Sequence, residues 1–249
     1  MLSDLYISSV MWNKPIPSDS YLYDIPAIRY LQENKELPLH SRVTFFVGEN
    51  GTGKSTLLEA IAVAYGFNPE GGSRNFSFST NASHSALWEH LVLEKRGYAE
   101  DGFFLRAESF YNVASYIDEL DKQPAAAPPI IGSYGGMSLH HQSHGESFLA
   151  LVQHRFGGKG VYVLDEPEAA LSPMRLLTLL IEIDRLVKQG SQFIIATHSP
   201  ILMAFPGAAI YEFSERGIHT VEYEKTEHYR VSKQFFGDPK RMLKQLLEE

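Results

Sequence analysis

The 249-residue sequence contains no cysteine, which excludes disulfides and thiolate metal sites. Basic residues are few: 22 lysines and arginines against 30 aspartates and glutamates give a net charge of −8. The chain therefore lacks the overall basic surface typical of many nucleic-acid-binding proteins, although a local basic patch is compatible with this total. No apolar run approaches the roughly 20 residues that cross a bilayer. Without a basic and then apolar N-terminal segment, we expect a cytoplasmic protein with no signal peptide and no membrane insertion.

What the sequence does contain is a recurring order of apolar strands and helices. Strands are predicted at 5–12, 43–47, 102–106, 160–164 and 192–196, helices at 25–34, 56–65, 85–93, 147–155 and 174–189, a β-hairpin at 209–223 and an amphipathic last helix from Asp238. The proline- and glycine-containing stretch 123–136 is predicted to be a connector. This alternation predicts an α/β fold with a mainly parallel sheet, helices on both faces and a small antiparallel β part.

The segment from Gly48 to Ser55 matches the G-x-x-x-x-G-K-[ST] pattern in full, between a predicted strand and a predicted helix. Its glycines let backbone N–H groups turn toward phosphate oxygens, and the helix N-terminus adds a partial positive charge. Lys54 is predicted to reach the β- and γ-phosphates of ATP, and the Ser55 hydroxyl to ligate Mg²⁺. The candidate ATP-binding residues are Gly48, Glu49, Asn50, Gly51, Thr52, Gly53, Lys54, Ser55 and Thr56.

Two carboxylates, Asp165 and Glu166, follow the buried strand predicted at 160–164. Ligands of parallel sheets bind beyond the carboxyl ends of the strands, so this pair is predicted to face the phosphates. Asp165 is the candidate that holds Mg²⁺ through water, and Glu166 the candidate that polarises the attacking water. An isolated pair of this kind is as often a solvated acidic turn, but the complete P-loop favours the functional interpretation.

His198 ends the next apolar strand, within a Thr-His-Ser-Pro segment. A lone histidine is more often a surface or core residue. Here it follows the strand expected to lie beside the acidic one, so we predict that it contacts the γ-phosphate and reports its presence. Glu166 and His198 are therefore the catalytic candidates.

A serine and a glycine, Ser143 and Gly145, precede the helix predicted at 147–155. Such residues suit an anion-binding helix N-terminus, but the spacing alone favours a plain N-cap. The nearby His140, His141 and His144 show neither helical nor strand spacing, which argues against a metal site there. Four scattered cations, Arg74, Lys95, Arg96 and Arg106, are interpreted as solvated surface charges.

The order of the motifs resembles the ABC-type ATPase family: P-loop, serine–glycine signature, acidic pair, histidine. The resemblance covers roughly residues 43–199 and is to the stand-alone branch related to chromosome-maintenance and recombination-repair ATPases. It implies one domain over 1–249, with a core lobe at about 1–72 and 159–249 and a helical lobe at about 73–158. It also implies a homodimer that forms on ATP binding, in which Ser143, Gly145 and Glu146 bind the γ-phosphate held by the other subunit.

The chain departs from the family pattern at two places. Ser172 stands where the segment after the acidic pair usually has aspartate, so communication between the two sites would be altered. The usual glutamine after the mid-chain strand is absent, and Glu108 is the candidate to replace it as a Mg²⁺ or water contact. The resemblance also implies an adenine-stacking aromatic upstream of the P-loop, for which Tyr21 and Tyr23 are candidates.

Three functions are compatible with these motifs. The favoured one is ATP hydrolysis that drives a dimerisation switch acting on nucleic acid or a partner protein, in repair or defence. The second is the nucleotide-binding subunit of a membrane transporter, for which the missing glutamine is unfavourable. The third is an ATP sensor with little turnover, which would lack a catalytic carboxylate, whereas Glu166 is present.

Overall fold

Nine strands are found in the computed structural model, which describes residues 5–17, 19–74, 85–107, 110–122, 132, 136 and 143–247. They are β1 (Ile7–Trp12), β2 (Glu36–Pro38), β3 (Val43–Gly48), β4 (Leu91–Lys95), β5 (Asp101–Arg106), β6 (Gly160–Asp165), β7 (Gln192–Ala196), β8 (Ala209–Ser214) and β9 (Gly217–Thr220). The α-helices of the same residues are α1 (Pro26–Asn34), α2 (Lys54–Tyr65), α3 (Phe110–Lys122), α4 (His144–Arg155), α5 (Pro173–Lys188), α6 (Pro200–Met203), α7 (Glu227–Gly237) and α8 (Pro239–Leu247).

Six of these strands form the central sheet, in the order β5-β6-β7-β3-β8-β9. All neighbouring pairs are parallel except β8 and β9, which form the antiparallel hairpin at one edge. A second sheet, β2-β1-β4, is antiparallel. The predicted α/β fold with a mainly parallel sheet and a small antiparallel part is therefore confirmed.

The apolar composition of the central strands explains why they lie inside. Every residue of β3, β6 and β7 is buried, as expected for parallel strands covered on both faces. On one face they pack with α1, α2 and the antiparallel sheet, and on the other with α3, α4, α5 and α6. The sheet is therefore packed between two apolar layers, and the loops that follow its strands start from buried positions.

A buried side chain, Gln192, joins the two sheets. Its amide oxygen accepts hydrogen bonds from the backbone N–H groups of Tyr6 and Ile7, both at 2.9 Å, and its amide nitrogen donates to the Ile7 carbonyl at 2.8 Å. Since an unpaired buried amide would be costly, these three bonds fix the first residues of β1 against β7.

The helix predicted at 85–93 is wrong. A short 3₁₀ turn at Ala86–His90 leads directly into strand β4. In that strand Leu91 and Leu93 are buried while Val92 between them is exposed, which is the two-residue period of a strand, and pairing with β1 decides the conformation.

The described residues also contain three α-helices that were not predicted, α3, α6 and α7. The other predicted elements are present with shifted ends; α4, for example, begins at His144 rather than at Ser147. Most of the predicted connector 123–136 lies outside the described residues. The division into a core lobe and a helical lobe stays a prediction. No helix of the described residues is both long and apolar enough to span a bilayer.

Candidate active site

The loop between β3 and α2 makes a turn that two of its glycines require. Gly48 and Gly53 have φ angles of +123° and +100°, which side-chain-bearing residues rarely adopt. A Cβ on Gly48 would lie 2.1 Å from the carbonyl oxygen of Phe213, and one on Gly53 would lie 2.4 Å from the Ile25 side chain. The loop is therefore built tightly against β8 and against the start of α1.

Lys54 is the first residue of α2, and its side chain folds back over this loop. It is only 4 % exposed, and its Nζ donates to the carbonyl oxygens of Gly48 and Glu49, both at 2.7 Å. Burial lowers the pKa of the Lys54 ammonium, while the carboxylates of Glu166 and Asp165 oppose that shift. The ammonium thus lies in the field of the acidic pair, although about 110 residues of sequence separate them.

Ser55 and Asp165 meet where the first turn of α2 faces the end of β6. The Ser55 hydroxyl donates to Oδ1 of Asp165 at 3.0 Å, and the carboxylate is 6 % exposed. A hydroxyl and a carboxylate side by side are the oxygen donors that Mg²⁺ prefers, with phosphate and water completing its coordination. The donor set therefore fits a Mg²⁺ ion.

Glu166 follows β6 in a left-handed conformation, with φ +48° and ψ +52°. An L-residue in this region costs about 1 kcal/mol. The conformation is held on one side by Pro167 and on the other by a hydrogen bond from the Glu166 N–H to the Ala196 carbonyl at 3.0 Å. Its carboxylate is half-exposed at the mouth of a pocket of about 330 Å³. The described lining of that pocket is Ser55, Arg106, Ala107, Asp165, Glu166, Ala169 and Ala170.

His198 follows β7, which pairs directly with β6, so the histidine and the acidic pair lie at the same edge of the sheet. The His198 Nε2 is 3.6 Å from Oε1 of Glu166. Burial lowers the pKa of the His198 imidazole; the Lys54 ammonium acts in the same direction and Glu166 opposes it. The structure therefore brings the P-loop, the acidic pair and the histidine together, and the surroundings of the histidine favour its neutral form.

Arg106 was interpreted as a solvated charge, and that interpretation is wrong. It ends β5, next to β6, and its side chain lines the pocket. Its guanidinium lies 2.6 Å from Oε2 of Glu59 on α2 and 3.5 Å from Oδ2 of Asp165. Its position directly after an apolar strand was the signal that could have identified it, because all parallel strands end at the functional edge of the sheet.

The sequence also missed two residues around His198. The Glu168 carboxylate accepts a hydrogen bond from the His198 backbone N–H, and burial raises the pKa of this carboxyl group. The Nε2 of His228, in α7, lies 3.0 Å from Nδ1 of His198. No local pattern marks His228, since only the fold carries α7 to this edge.

The predicted signature lies outside the described lining of the pocket, beside Ala170 at its rim. Ser143 is the N-cap of α4, and its hydroxyl and backbone N–H both bond the Glu146 carboxylate, at 2.7 Å and 3.0 Å. The guanidinium of Arg175, in α5, donates to Ser143 Oγ at 3.2 Å and to Glu146 Oε1 at 2.9 Å. Ser143 and Glu146 are exposed, so this network is a surface feature.

Gly145 is buried within the same network. A Cβ there would lie 2.6 Å from the Arg175 guanidinium and 2.8 Å from the Ala170 carbonyl oxygen. Only glycine therefore lets α4 approach the segment after the acidic pair so closely. Ser172 is the N-cap residue of α5, without a side-chain capping bond.

The remaining candidates are only partly placed. Tyr21 begins a 3₁₀ turn and is 62 % exposed, whereas the Tyr23 hydroxyl donates to the Ile16 carbonyl. Glu108, His140 and His141 lie outside the described residues, as does the side chain of His144. The described residues contain no group of three or more histidine, aspartate and glutamate side chains able to hold a metal ion.

Three features define the P-loop nucleotide-binding class. They are a parallel sheet, a glycine-rich loop that leads from β3 into α2, and an acidic pair at the end of β6, which is separated from β3 by one strand of the sheet. Comparison with known families agrees. A family model described as "AAA domain" matches residues 25–112, and one described as "AAA domain, putative AbiEii toxin, Type IV TA system" matches residues 131–204.

The curated relatives include an ATP-binding protein and an ABC transporter family protein. The ribose import ATP-binding protein RbsA of Yersinia pestis is 29 % identical over 191 residues, which cover 68 % of this chain and 34 % of the relative. The serine protease/ABC transporter B family protein tagD of Dictyostelium discoideum is 26 % identical over 216 residues, covering 74 % of this chain and 11 % of the relative. The chain thus spans about a third or less of the length of these relatives.

A solved transporter structure shares the fold, and a second solved structure was compared with the chain. "An inward-facing conformation of a putative metal-chelate type ABC transporter" aligns with a TM-score of 0.50 and 13 % identity, covering 92 % of this chain and 88 % of the other. The SMC head domain from Thermotoga maritima aligns with a TM-score of 0.44 and 17 % identity, covering 88 % of this chain and all of the other. The family models and the curated relatives together support an ABC-type P-loop ATPase, as the motifs predicted.

Proposed function

We propose that this ATPase cycles between subunits held together by ATP and subunits released by hydrolysis, and that the cycle acts on nucleic acid or on a partner protein in repair or defence. The observation that carries the proposal is the meeting of Lys54, Asp165, Glu166 and His198 at one sheet edge. Their sequence order, with a signature before the acidic pair, is the order of ATPases that dimerise head to tail.

In the hydrolytic step, water attacks the γ-phosphorus and the bond to the β–γ bridging oxygen breaks, giving ADP and phosphate. Glu166 accepts the proton that the attacking water loses, since its exposed carboxylate faces the pocket and is free of the tight bonds that hold Asp165. Lys54 stabilises charge on the β- and γ-phosphates, and His198 donates to the γ-phosphate. The remaining P-loop residues bind phosphate through their backbone N–H groups.

Ser55 and Asp165 would hold the Mg²⁺ ion, which supplies charge neutralisation at the β- and γ-phosphates when bound. Their 3.0 Å contact already places hydroxyl and carboxylate oxygens together. Arg106 orients this carboxylate from its other oxygen. Glu108 stays a candidate for a further contact.

Ser143, Gly145 and Glu146 would bind the γ-phosphate held by the partner subunit. Ser143 and Glu146 are exposed at the N-terminus of α4, where backbone N–H groups and the helix dipole favour an anion. Arg175 adds a positive charge beside them. The Glu146 carboxylate is bonded to Ser143 and Arg175, so its negative charge is partly balanced and the helix N-terminus still favours an anion.

A second candidate function is supported by the relatives themselves. RbsA is a ribose import ATP-binding protein, so the transporter-subunit alternative has an observation in its favour. The two functions differ in their stimulating ligand. DNA or RNA should raise the ATPase rate of the first, whereas the second would require a membrane partner and would ignore nucleic acid.

The head-to-tail arrangement is tested by mixing two inactive variants. Lys54→Ala spoils the P-loop but leaves a sound signature. Ser143→Asp leaves a sound P-loop and still caps α4, because aspartate is a good N-cap, but its carboxylate repels the γ-phosphate. Half of randomly paired dimers are mixed and contain one intact site, so ATPase activity should recover to roughly a quarter of native.

The matched control is Ser143→Asn, which also caps the helix but adds no charge. It should keep most of the native activity as a homodimer. If mixing restores nothing while crosslinking shows ATP-dependent mixed dimers, the two sites fire only together. If no dimers form with any nucleotide, the head-to-tail proposal is wrong.

A further inference from the structure

We propose that His228 is a positioning residue for hydrolysis: it donates a hydrogen bond to His198 and thereby fixes the His198 tautomer whose Nε2–H points toward the γ-phosphate. The proposal deepens the proposed function and rests on its assignment of His198. It also makes helix α7 a structural part of the active site.

The contact itself joins two ring nitrogens, Nδ1 of His198 and Nε2 of His228, at 3.0 Å. Between two neutral imidazoles a hydrogen bond needs a proton on one nitrogen and a lone pair on the other. Two arrangements are therefore possible. They differ in which histidine donates. In each arrangement the accepting ring carries its own proton on its other nitrogen, the one that faces away from the pair.

The far side of His228 distinguishes them. Its Nδ1 is buried and has no hydrogen-bond partner in the described part of the chain. If His198 were the donor, this Nδ1 would carry the other proton of His228 and would be a buried N–H without an acceptor. If His228 donates through Nε2, the same atom is only an unused lone pair. Orphaned buried N–H groups are rarer than under-used acceptors, so His228 is the donor.

The far side of His198 gives the same answer independently. Its Nε2 is 3.6 Å from the Glu166 carboxylate. With His228 as donor, His198 carries its proton on this Nε2, and an N–H faces the carboxylate. With the opposite arrangement a lone pair would face it, which is repulsive. Both ends of the pair therefore select one tautomer.

The surroundings of both rings favour the neutral forms that this assignment uses. Burial lowers the pKa of both imidazoles, and the Lys54 ammonium lowers them further. The charged groups acting on His228 also include Glu227 and Glu212, which oppose the shift. His228 lies in the first turn of α7, where the helix dipole disfavours a positive charge.

The start of α7 is itself held in place. Thr226 is fully buried and caps the helix by accepting from the Tyr229 N–H, and the Tyr223 hydroxyl donates to the Pro200 carbonyl at 3.0 Å. Pro200 follows His198 by two residues. The segments that carry the two histidines are therefore bonded to each other next to the pair, and this contact fixes the position of the His228 ring.

The decisive measurement is the tautomer of His198 in the whole chain, read from the ¹⁵N chemical shifts and couplings of its imidazole. The resonances are assigned with variants that each replace one histidine. The expected result is a proton on Nε2 in the native protein and a mixture of tautomers in His228→Phe. A proton on Nδ1 of native His198 would overturn the proposal. This readout needs no ATP turnover.

Kinetics then test the consequence. His228→Phe should lower kcat by about 10-fold, as the loss of an orienting partner typically does, while KM for ATP changes less than about twofold. His228→Gln keeps an N–H donor and should recover most of kcat. The matched control is His40→Phe, an exposed histidine between β2 and β3 that should keep native kcat.

Each failure has a separate meaning. A native kcat in His228→Phe, with native melting temperature, overturns the positioning role. Native kcat in His198→Ala instead overturns the assignment of His198 in the proposed function, while the ¹⁵N measurement still decides which histidine donates. If His228→Phe does not fold, His228→Gln and the native-protein spectrum carry the test.

Discussion

At the scale of single residues, charge partners define the site more than sequence motifs do. Asp165 belongs to a motif, but its orientation depends on Arg106, which belongs to none. Arg106 in turn forms an ion pair with Glu59 in α2, the helix that follows the P-loop. The glutamate is 8 % exposed, and removing the partner of a buried carboxylate is strongly destabilising. Stability and the geometry of the acidic site are therefore linked through one guanidinium.

Arg106→Ala should lower the free energy of unfolding by about 2 kcal/mol, because it removes a partner from the buried Glu59 and from Asp165. For a chain of this size that corresponds to a melting temperature lower by about 6 °C. The matched control is Arg96→Ala, which breaks an exposed pair with Glu94 and should cost less than about 0.5 kcal/mol. Equal melting temperatures for the two variants would contradict the structural role given to Arg106.

At the scale of elements, strands were predicted well where burial was continuous, and less well where packing decided. The runs that became β3, β6 and β7 are apolar throughout, and their ends fall within a residue of the prediction. Residues 85–93 have no such run, and their conformation is decided by pairing with β1. The sequence around α7 is rich in charge and gave no helical signal, although α7 supplies His228.

Two different physical reasons favour glycine in the P-loop: close contact with neighbouring atoms at Gly48, and a positive φ angle alone at Gly51. Gly48→Ala should reduce stability by about 3 kcal/mol or more, because its Cβ would overlap the Phe213 carbonyl. Gly51→Ala meets no atom within 4 Å and has only its φ of +82° to strain, so about 1 kcal/mol is expected. Urea unfolding midpoints measure the difference. A larger loss for Gly51→Ala than for Gly48→Ala would refute this explanation.

At the scale of the whole molecule, the parallel sheet gathers the site. Strands β3, β6 and β7 are neighbours in the sheet but lie far apart in sequence, and their carboxyl ends bring Lys54, Glu166 and His198 together. In the signature at the start of α4, Ser143 and Glu146 are exposed at the rim of the pocket, whereas Gly145 between them is buried.

Glu166→Gln should bind ATP normally but lower turnover by at least about 100-fold, since the amide cannot take up a proton. If hydrolysis opens the dimer, this variant should elute as a stable dimer with ATP and Mg²⁺ and as a smaller species without them. Size-exclusion chromatography with light scattering gives the masses. Lys54→Ala, which cannot hold ATP, is the control and should not respond to nucleotide; turnover at the native rate in Glu166→Gln would rule out its role as the base.

The sequence by itself determined the class of the protein: the P-loop, the acidic pair and the histidine each follow an apolar strand, and contiguous residues carry both the strand signal and the chemistry. The tertiary structure alone decided the partners of those residues. Arg106 with Asp165, Arg175 with the signature and His228 with His198 are contacts between residues 29 or more positions apart in the sequence. Such contacts follow from how buried faces pack, and local periodicity carries no information about which distant side chain a packed face will bring into reach.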